Sequence, residues 1–498
     1  MNALLIYPDY PETFWSFKHA LKFIAKKAVY PPLGLLTVAA MLPPEWEPRL
    51  IDMNVTPLRD EDLRWADIVL ISAMSVQSQA VHTVIDRCKA LQKPIIAGGP
   101  LFTSMPETFP EVDYLVLNEA EVTLPLFLRD FALGCAQHCY SSTERADLHT
   151  TPIPRWELIK PKYYSSLNIQ MSRGCPFDCD FCNITSLFGR IPRTKTTGQI
   201  LAELDRLYTL GWRGGVFFVD DNFIGPKQRV KDDILPAIQA WMLHRKHPFL
   251  FNTQLSLNVA DDPALMRQLS EAGFSTVFIG IESPHEASLA ECNKTANKDR
   301  DLIANIHAIQ RAGLQVQAGF IVGFDSDPVS IFERLIAFIQ ESGIVMAMVG
   351  LLNALPGTRL YQRLQSQSRL SGNTSGDNTD YSLNFLPTMP VETLMKGYRS
   401  IVESIYAPDV YYQRVKCFLQ EYRPRYQRVN FCTFSTLITA LKTTLALGFF
   451  EKERSYFWRL FFWSLFHRPR LLPLAMTLTA CGYHFRKSFE FHLAVSQS

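Results

Sequence analysis

The sequence lacks a long uninterrupted apolar run. A membrane-spanning helix needs about 20 consecutive apolar residues, but Lys442 interrupts the stretch 433–450, and Pro469 and Pro473 bound the next one. We therefore expect no transmembrane helix. Residues 2–7 have the character of a buried strand and not of a signal peptide, so we expect a cytoplasmic protein. Its ten cysteines fit such a reducing compartment.

The sequence also has little net charge. Its 50 Lys and Arg residues nearly balance 48 Asp and Glu residues, and its hydrophobic content of 47% is that of a folded globular chain. The exception is the region 412–498, which holds 13 basic and 4 acidic residues. Because this region is rich in Phe, Trp and Leu, it favours a lipid surface or a protein core over a nucleic acid as its partner.

Cysteine and histidine pairs at zinc-finger spacing are missing too, which argues against a structural zinc site. The chain has instead three cysteines within eight residues, Cys175, Cys179 and Cys182. In this C-x3-C-x2-C spacing, three thiolates can each ligate one iron of a cubane cluster and leave the fourth iron free. A disulfide framework does not fit a chain of this length without a secretory signal. We therefore predict an iron–sulfur cluster with one open iron on this loop.

The first third of the chain alternates predicted strands with predicted helices. The strands are predicted at 2–7, 48–52, 67–72, 94–97 and 113–117. This alternation predicts a parallel sheet with helices on both faces, and ligands of such sheets bind beyond the carboxyl ends of the strands. The polar loops at those ends are 52–54, 72–74 with Gln77, 98–100 and 118–121.

The middle of the chain repeats the same alternation after a stretch with little periodicity. Its strands are predicted at 168–173, 215–220, 250–256, 275–281, 315–322 and 345–352. The helix predicted at 197–210 begins with a capping box formed by Thr196 and Gln199. Polar residues follow the second and fourth of these strands, at the strand ends where a parallel barrel carries its chemistry.

The cysteine motif, with Phe181 before its last cysteine, resembles the defining motif of the radical S-adenosylmethionine (SAM) superfamily. The resemblance implies that SAM chelates the free iron and is cleaved to a 5′-deoxyadenosyl radical. It also implies that the second run of strands is a partial (β/α)6 barrel. The implied SAM-binding residues are Asp220, Asp221 and Asn222 near the SAM amino group, Glu282 near the ribose or methionyl part, and Gly319, Ile321 and Gly323 near adenine.

The domain before the motif resembles the cobalamin-binding domain of B12-dependent radical SAM enzymes. Gly98 and Gly99 match the glycine pair that lets the corrinoid tail approach the backbone. The D-x-H-x-x-G motif, which supplies a lower axial histidine, is missing, and the stretch 118–121 departs from the family's usual Gly-Glu-Gly-Glu. The alternative is a vestigial domain without cobalamin. The implied cobalamin-binding residues are Asp52, Asn54, Ser72, Met74, Gly98, Gly99 and Glu119.

Segments 14–43, 350–358, 377–381 and 384–387 are similar to the subfamily that includes the hopanoid C-2 methylases. The resemblance implies a C-methyltransferase acting on an unactivated carbon of a small-molecule or lipid substrate. Its implied cofactors are a [4Fe-4S] cluster, SAM and cobalamin, and its implied electron donor is a ferredoxin or flavodoxin. Rearrangement, cyclisation or oxygen insertion without methyl transfer is one alternative, and a non-catalytic cobalamin or redox sensor is another. No catalytic side chain is identified.

We predict an α/β chain with four regions. They are a Rossmann-like cobalamin-binding domain at 1–135, a linker at 136–166, a radical SAM barrel at 167–365 and a mostly helical, basic extension at 366–498. The apolar stretches 433–450 and 455–466 of the extension fit either a lid packed on the barrel or a peripheral contact with an anionic membrane. We expect no nucleic-acid partner.

Overall fold

The structure is a computed structural model that describes residues 1–372, 374–425 and 441–496, with side chains described as far as residue 493. Residues 433–440 of the apolar stretch 433–450 lie outside the described residues. The α/β class, the two parallel sheets and the helical C-terminal region agree with the prediction.

The first six strands form one parallel sheet. Their bounds are β1 Asn2–Tyr7, β2 Glu47–Asp52, β3 Ile68–Ser72, β4 Ile95–Gly98, β5 Tyr114–Val116 and β6 Cys139–Tyr140. The helices of this region are α1 Lys18–Leu21, α2 Leu33–Met41, α3 Asp60–Trp65, α4 Ser78–Ala90, α5 Pro100–Ser104 and α6 Ala120–Ala132. The strand order is β2-β1-β3-β4-β5-β6. This order reverses between β1 and β3, and ligands of doubly wound sheets bind at the crevice that such a reversal creates.

Neighbouring residues of each strand enter different cores. Leu4 and Ile6 of β1 pack in the core that includes α3 and α4, whereas Ala3 and Leu5 pack in the core that includes α2 and α6. A sheet buried on both faces needs apolar residues at successive positions. This is why the strands of this sheet were recognisable as short continuous apolar runs.

Strand β6 lies inside the region predicted to be a linker. Cys139 and Tyr140 pair with Leu115 and Val116 of β5, so this part of the region extends the first sheet. Trp156, further along the same region, is fully buried. A strand of two residues is too short to give a periodic signal, which is why the sequence pattern did not indicate it.

The second parallel sheet contains six strands. Their bounds are β7 Ser166–Ile169, β10 Gly215–Phe218, β11 Leu250–Gln254, β12 Phe274–Glu282, β13 Gln315–Val322 and β14 Ala347–Leu351. The helices are α7 Ile184–Phe188, α8 Thr197–Thr209, α9 Lys227–Arg229, α10 Leu235–His244, α11 Pro263–Glu271, α12 Glu286–Glu291, α13 Leu302–Arg311 and α14 Ile331–Ser342. The strands are arranged in sequence order with β7 and β14 at the edges. This is the partial (β/α)6 barrel that the resemblance implied.

The strand predicted at 168–173 is interrupted. Strand β7 ends at Ile169, and residues Ser172–Arg173 form a separate strand β8, which pairs antiparallel with β9, Arg193–Thr194. The buried carboxylate of Asp220 accepts the backbone N–H groups of Met171 and Ser172. Because these two donors bond a side chain, they are not available to a neighbouring strand of the barrel sheet.

The open edges of the barrel are covered by the segment that follows β1. Next to β7, Ser165 N donates to Ala28 O at 3.0 Å and Ser166 N donates to Val29 O at 3.0 Å. At the opposite edge, the Trp15 indole N–H lies 2.9 Å from the sulfur of Met348 on β14. A segment of the first region therefore touches both edges of the second sheet.

The C-terminal helices pack on the barrel. They are α15 Arg359–Ser366, α16 Val391–Tyr406, α17 Pro408–Glu421, α18 Arg454–His467 and α19 Leu472–Ser496, and residues 441–445 are also helical. Buried tyrosines of α16 donate to backbone carbonyls of β14, and the ring of Phe14 stacks on Phe485 of α19 at 4.1 Å. In the described part of the chain, no helix combines the length and the hydropathy needed to cross a membrane.

Candidate active site

The three motif cysteines lie on one half-buried loop between β8 and α7. The loop begins at Gly174, which has a φ of +96° and donates its N–H to the Asp221 carboxylate at 2.8 Å. Burial raises the pKa of all three thiols, and that of Cys182 to about 12. Thiols with raised pKa values become thiolates when they ligate a metal, because the charge of the ion reverses the effect of burial.

The spacing of the three cysteines suits a cubane cluster. Among the residues that the structure describes, no three His, Cys, Asp or Glu side chains form a group that could hold one metal ion. A cubane cluster is different, since each thiolate ligates a different iron and the sulfurs need not meet at one point. The loop thus has the ligand type and spacing that a [4Fe-4S] cluster requires.

Residues that follow β12 hold the cysteine loop from the other side. Asp180 N donates to Cys292 O at 3.0 Å, and the side-chain amide of Asn293 donates to Asp178 O at 2.9 Å. Both bonds tie the backbone of the cysteine loop to the end of α12. The position of the cysteines therefore depends on a second segment of the barrel, more than 100 residues away in sequence.

A buried ammonium lies beside the cysteines. Lys294 Nζ is 2.7 Å from the carboxylate of Glu282, and the two side chains are 16% and 7% exposed. Burial opposes the charge on Lys294, but the Glu282 carboxylate and the nearby sulfurs of Cys179 and Cys182 outweigh burial and raise its pKa. A Cβ on Gly280 would come within 2.2 Å of the Glu282 carboxylate, so the glycine leaves room for this ion pair.

Lys294 was not among the residues implied by the resemblance. Its sequence signal is weak, because a lysine 12 residues after a strand-end glutamate is usually a surface residue. Glu282, which was expected near the ribose or methionyl part of SAM, has a φ of +64° and is bonded to Lys294. Such a backbone conformation is costly for a non-glycine residue and is often found at functional sites.

The three polar residues after β10 have different surroundings. Asp220 accepts the Ser172 hydroxyl at 2.6 Å in addition to backbone donors, and burial raises its pKa to about 7. Asp221 holds Gly174, and burial raises its pKa to about 6. Both carboxylates therefore bond residues at or just before the start of the cysteine loop and hold it in position.

Asn222 is the residue of this group with a free acceptor. Its amide nitrogen donates to the Ser256 hydroxyl at 3.2 Å, while its Oδ1 is buried and has no hydrogen-bond partner among the described residues. A buried unsatisfied oxygen is costly in the absence of a ligand. Because Asn222 lies close to Cys175, this oxygen is placed to accept a proton donor such as the SAM ammonium group, and the site fits SAM on this observation.

The residues expected near adenine lie along β13 and directly after it. Ile321 is buried in an apolar cluster with Phe324 and Cys292, against which Phe181 of the cysteine loop packs. Gly323 has a φ of +109° and donates its N–H to Asp327 at 2.9 Å. A Cβ on Gly319 would lie 3.0 Å from the ring of Phe278. The end of β13 therefore lies beside the cysteine loop, as an adenine site would require.

The loop after β2 is tightly bonded. Asp52 accepts the Tyr164 hydroxyl at 2.9 Å and the Asn54 backbone N–H at 3.0 Å, and burial raises its pKa. Asn54 donates its amide to Asp52 at 2.8 Å and accepts the Tyr10 N–H at 2.9 Å. Both side chains bond other protein groups. Neither is therefore free to ligate cobalamin in place of the missing histidine.

The loops after β3 and β4 pack closely against each other. Gly99 has a φ of +90°, and a Cβ on it would come within 2.4 Å of the Ser72 hydroxyl. Met74 is 44% exposed, and its N–H donates to the side chain of the fully buried Gln77 at 2.8 Å. Glycine is required here because only a residue without Cβ accepts this conformation at close approach. The space beside Gly99 is thus taken by Ser72 of the neighbouring loop, and Met74 is the exposed side chain of these two loops.

Glu119 has a different environment from the other residues expected at cobalamin. Its carboxylate is 1% exposed and lies within 3.0 Å of the guanidinium groups of Arg173 and Arg193. The side chain is therefore occupied by an ion cluster between the two sheets. Neither arginine was singled out from the sequence, although Arg173 stands inside the cysteine motif.

Profiles of three known families match successive parts of the chain. Residues 24–128 match the B12 binding domain, residues 169–339 match the radical SAM superfamily, and residues 358–497 match a domain of unknown function (DUF4070). The first two matches agree with the two sheets described above.

Two curated proteins are similar to most of the chain. An uncharacterized methyltransferase of Synechocystis sp. is 40% identical over 97% of this chain and 91% of its own length. The hopanoid C-2 methylase of Rhodopseudomonas palustris is 34% identical over 83% of this chain and 78% of its own length. The bacteriochlorophyllide d C-12(1)-methyltransferase of Chlorobaculum tepidum is more distant, at 24% identity over 69% of this chain and 75% of its own length.

Two solved structures share the overall fold. The cobalamin-dependent SAM radical enzyme OxsB superposes with a TM-score of 0.64 at 15% identity, over 100% of this chain and 80% of that one. The radical SAM methyltransferase TsrM of Kitasatospora setae superposes with a TM-score of 0.59 at 13% identity, over 98% of this chain and 99% of that one. At these identities the likeness concerns the fold.

Replacing Cys175, Cys179 and Cys182 together by alanine is expected to abolish iron and sulfide binding, because no thiolate would remain on the loop. The measurement is iron and acid-labile sulfide per chain after anaerobic reconstitution. The control is Cys88→Ala, at a cysteine buried under the first sheet, which should keep wild-type iron content. A triple variant that still binds iron and sulfide would exclude this loop as the cluster site.

Replacing Lys294 by methionine is expected to lower the midpoint potential of the reconstituted cluster by on the order of 50 mV, because a nearby cation favours the more negative reduced state. Lys294→Arg keeps the charge and should stay close to wild type. The measurement is a redox titration followed by electron paramagnetic resonance. Equal potentials in the methionine variant and the wild type would show that Lys294 does not act on the cluster.

Proposed function

The chain belongs to the family of B12-dependent radical SAM methyltransferases that includes the hopanoid C-2 methylase, and from this premise we propose that it methylates an unactivated carbon of an apolar lipid. Its cofactors are a [4Fe-4S] cluster, SAM and cobalamin. The Synechocystis and Rhodopseudomonas relatives, at 40% and 34% identity, are both methyl-transfer proteins by name. Rearrangement, cyclisation, oxygen insertion and a non-catalytic sensor are therefore not favoured.

The bound cofactors supply the chemistry of the reaction. When bound, the cluster and SAM provide a 5′-deoxyadenosyl radical that removes a hydrogen atom from carbon, and methylcobalamin provides the methyl group. The protein holds these groups and the substrate in one arrangement and excludes water. A ferredoxin or flavodoxin is the proposed source of electrons.

In this proposal, the residues of the cysteine loop and its neighbours divide the binding of the cluster and SAM. Cys175, Cys179 and Cys182 hold the cluster. Asn222 accepts a hydrogen bond from the SAM ammonium group, and Lys294 sets the charge near the thiolates. The support for these roles is the single loop that carries the three cysteines, the unpaired Asn222 oxygen and the buried position of Lys294.

Cobalamin is proposed to lie on the loops at the carboxyl ends of the first sheet. Gly98 and Gly99 permit backbone approach, with Ser72 and Met74 beside them, and Asp52 and Asn54 support the neighbouring loop. The exposure of Met74 and the position of its loop beside the reversal of the strand order support this placement. Glu119 contributes through its ion cluster and not as a ligand.

The observation that carries the lipid proposal is the identity of 34% to the hopanoid C-2 methylase over 83% of the chain. Aromatic residues beside the barrel strands agree with an apolar substrate. Trp15 makes an edge contact with Phe278 at 5.6 Å, and Tyr30 packs on Phe217 at 5.0 Å. A hopanoid or a similarly apolar polycyclic lipid is therefore the proposed substrate class.

A second proposal concerns peripheral contact with a membrane. Helix α18 buries Phe457, Leu460 and Ser464 on one side and exposes large apolar residues on the other. A helix that is apolar on both sides has a second apolar surface to cover. The exposed residues Phe449 and Phe450, which precede this helix, and Phe462, Leu465 and Phe466 of the helix form what we name the aromatic surface.

The two parts of the aromatic surface are in contact, and exposed basic residues lie near it in sequence. Trp458 links its two parts, since its ring contacts Phe449 at 5.6 Å and stacks with Phe462 at 5.6 Å. The exposed basic residues near it in sequence are Lys442, Lys452, Arg454, Arg459 and Arg470. Apolar side chains with a basic rim match an anionic lipid bilayer, where an amphipathic surface inserts shallowly. An enzyme with a lipid substrate gains access to it at such a surface.

We expect reconstituted protein to methylate a lipid when it is supplied with SAM, cobalamin, a chemical reductant and a lipid extract. The product should be heavier by one methylene, about 14 Da, because a methyl group replaces a hydrogen atom. Mass spectrometry with SAM labelled in its methyl group identifies the product. The control is the triple cysteine variant. Label that enters only water-soluble compounds would overturn the lipid proposal, and label that enters no compound would overturn methyl transfer.

Replacing Phe462 and Phe466 by serine is expected to weaken binding to phosphatidylglycerol vesicles by roughly tenfold or more, since each buried phenyl ring contributes more than about 1 kcal/mol. Co-sedimentation with vesicles measures binding. The control is Leu243→Ser, at a residue of α10 that is also exposed, which should bind as wild type does. Equal binding by all three proteins, or none by the wild type, would contradict a membrane role for the aromatic surface.

A further inference from the structure

A buried ion cluster joins the first sheet to the cysteine loop. Glu119 and Glu121 follow β5, whereas Arg173 lies in β8 and Arg193 in β9. Arg173 binds Glu121 with two guanidinium nitrogens at 2.7 and 2.9 Å and binds Glu119 at 2.9 Å. Arg193 lies 2.9 and 3.0 Å from the two carboxylate oxygens of Glu119. We name these four residues the interdomain clamp.

The interdomain clamp is almost closed to solvent. The side chains of Glu119, Glu121, Arg173 and Arg193 are 1%, 6%, 12% and 20% exposed. Two positive and two negative charges balance within these four residues. Such a buried network adds little to stability compared with apolar packing, but the loss of one member leaves a buried charge without a partner. Its value to the protein lies in the geometry that it imposes.

The interdomain clamp grips both ends of the segment that carries the cysteines. Arg173 directly precedes Gly174 and Cys175. Its guanidinium group binds the carboxylates of Glu119 and Glu121, which follow β5. At the other end, Arg193 donates to Phe188 O at 3.0 Å and to Ala146 O at 2.6 Å. The segment from 173 to 193 is thus tied at each end to the loop that follows β5.

A third segment closes the arrangement. Thr151, between the two sheets, donates its hydroxyl to Glu121 at 2.9 Å. Arg145 of the same connection donates to Ser186 O at 2.9 Å, inside the cysteine segment. The connection between the sheets therefore contacts both Glu121 of the interdomain clamp and the segment that carries the cysteines. Four separate parts of the chain meet at one group of charges.

We propose that the interdomain clamp sets the position of the cysteine loop relative to the crevice of the first sheet, and that Glu119, Glu121 and Arg173 are positioning residues for the reaction. The consequence for catalysis rests on the proposed function, since it concerns the alignment of the SAM site with the cobalamin site. A displacement of about 1 Å between reacting groups can cost up to roughly a hundredfold in rate. Loss of the interdomain clamp should therefore let radical formation continue without efficient methyl transfer.

The test uses the full chain in four forms in which glutamine, a neutral side chain, replaces a charged one. They are Glu121→Gln, Arg173→Gln, the double variant Glu121→Gln with Arg173→Gln, and the control Glu157→Gln. Glu157 lies in the same connection and forms ion pairs with Arg155 and with Arg206 of α8, but its side chain is 42% exposed. The control therefore removes the same charge from a site outside the interdomain clamp.

Two readouts separate alignment from loss of cofactor. The first is the amount of 5′-deoxyadenosine formed per methylated product, corrected for iron and cobalamin content. We expect this ratio to rise about tenfold in Glu121→Gln and Arg173→Gln, and no further in the double variant because the two residues act as a pair. The control should keep the wild-type ratio. An unchanged ratio in both single variants would overturn the catalytic part of the proposal.

The second readout needs no turnover. Hydrogen exchange of amides 174–191 should become roughly tenfold faster or more in Glu121→Gln and Arg173→Gln than in wild type and the control, because local opening of the loop is easier. Unchanged exchange would overturn the proposal that the interdomain clamp holds the cysteine loop in position. Faster exchange in a protein that methylates no substrate would support the interdomain clamp and reject the proposed function. Arg173→Lys, which keeps the charge, replaces Arg173→Gln if the latter does not fold.

Discussion

The candidate active site depends on the buried carboxylate of Asp220. It accepts the backbone N–H groups of Met171 and Ser172 and the Ser172 hydroxyl, and it has no access to solvent. These bonds separate β7 from the short strand β8 and start the cysteine loop. Asp221, the next residue, holds Gly174 in the same way. The end of one barrel strand thereby determines where the cysteines begin.

The two sheets are packed together as parts of one enzyme. The segment after β1 covers both edges of the open barrel, and the interdomain clamp connects the loop after β5 with the cysteine segment. The helices after the barrel pack on the same segment through Phe14 and Phe485. A partial barrel leaves its edge strands unpaired, and the covering segments supply the contacts that a closed barrel would obtain from its own strands.

Much of the fold could be predicted from the sequence. The strands of both sheets are short apolar runs, and buried parallel strands are the elements whose local composition is most distinctive. The prediction of one continuous strand at 168–173 was wrong, because the bonds from Asp220 separate β7 from Ser172–Arg173, which form the strand β8. Strand β6 was missed because it has only two residues. Both differences arise from contacts that are remote in sequence.

The sequence by itself determined the cysteine spacing, the glycines that permit unusual backbone and the order of the two sheets, because these depend on residue type and local periodicity. Only the tertiary structure decided that Lys294 lies beside the cysteines, that Glu119 is paired with Arg173 and Arg193, and that the Asn222 oxygen has no hydrogen-bond partner among the described residues. The physical reason is that charges and hydrogen bonds act through space. Their partners lie from 12 residues apart, for Glu282 and Lys294, to 112 residues apart, for Cys182 and Lys294, where no local pattern relates them.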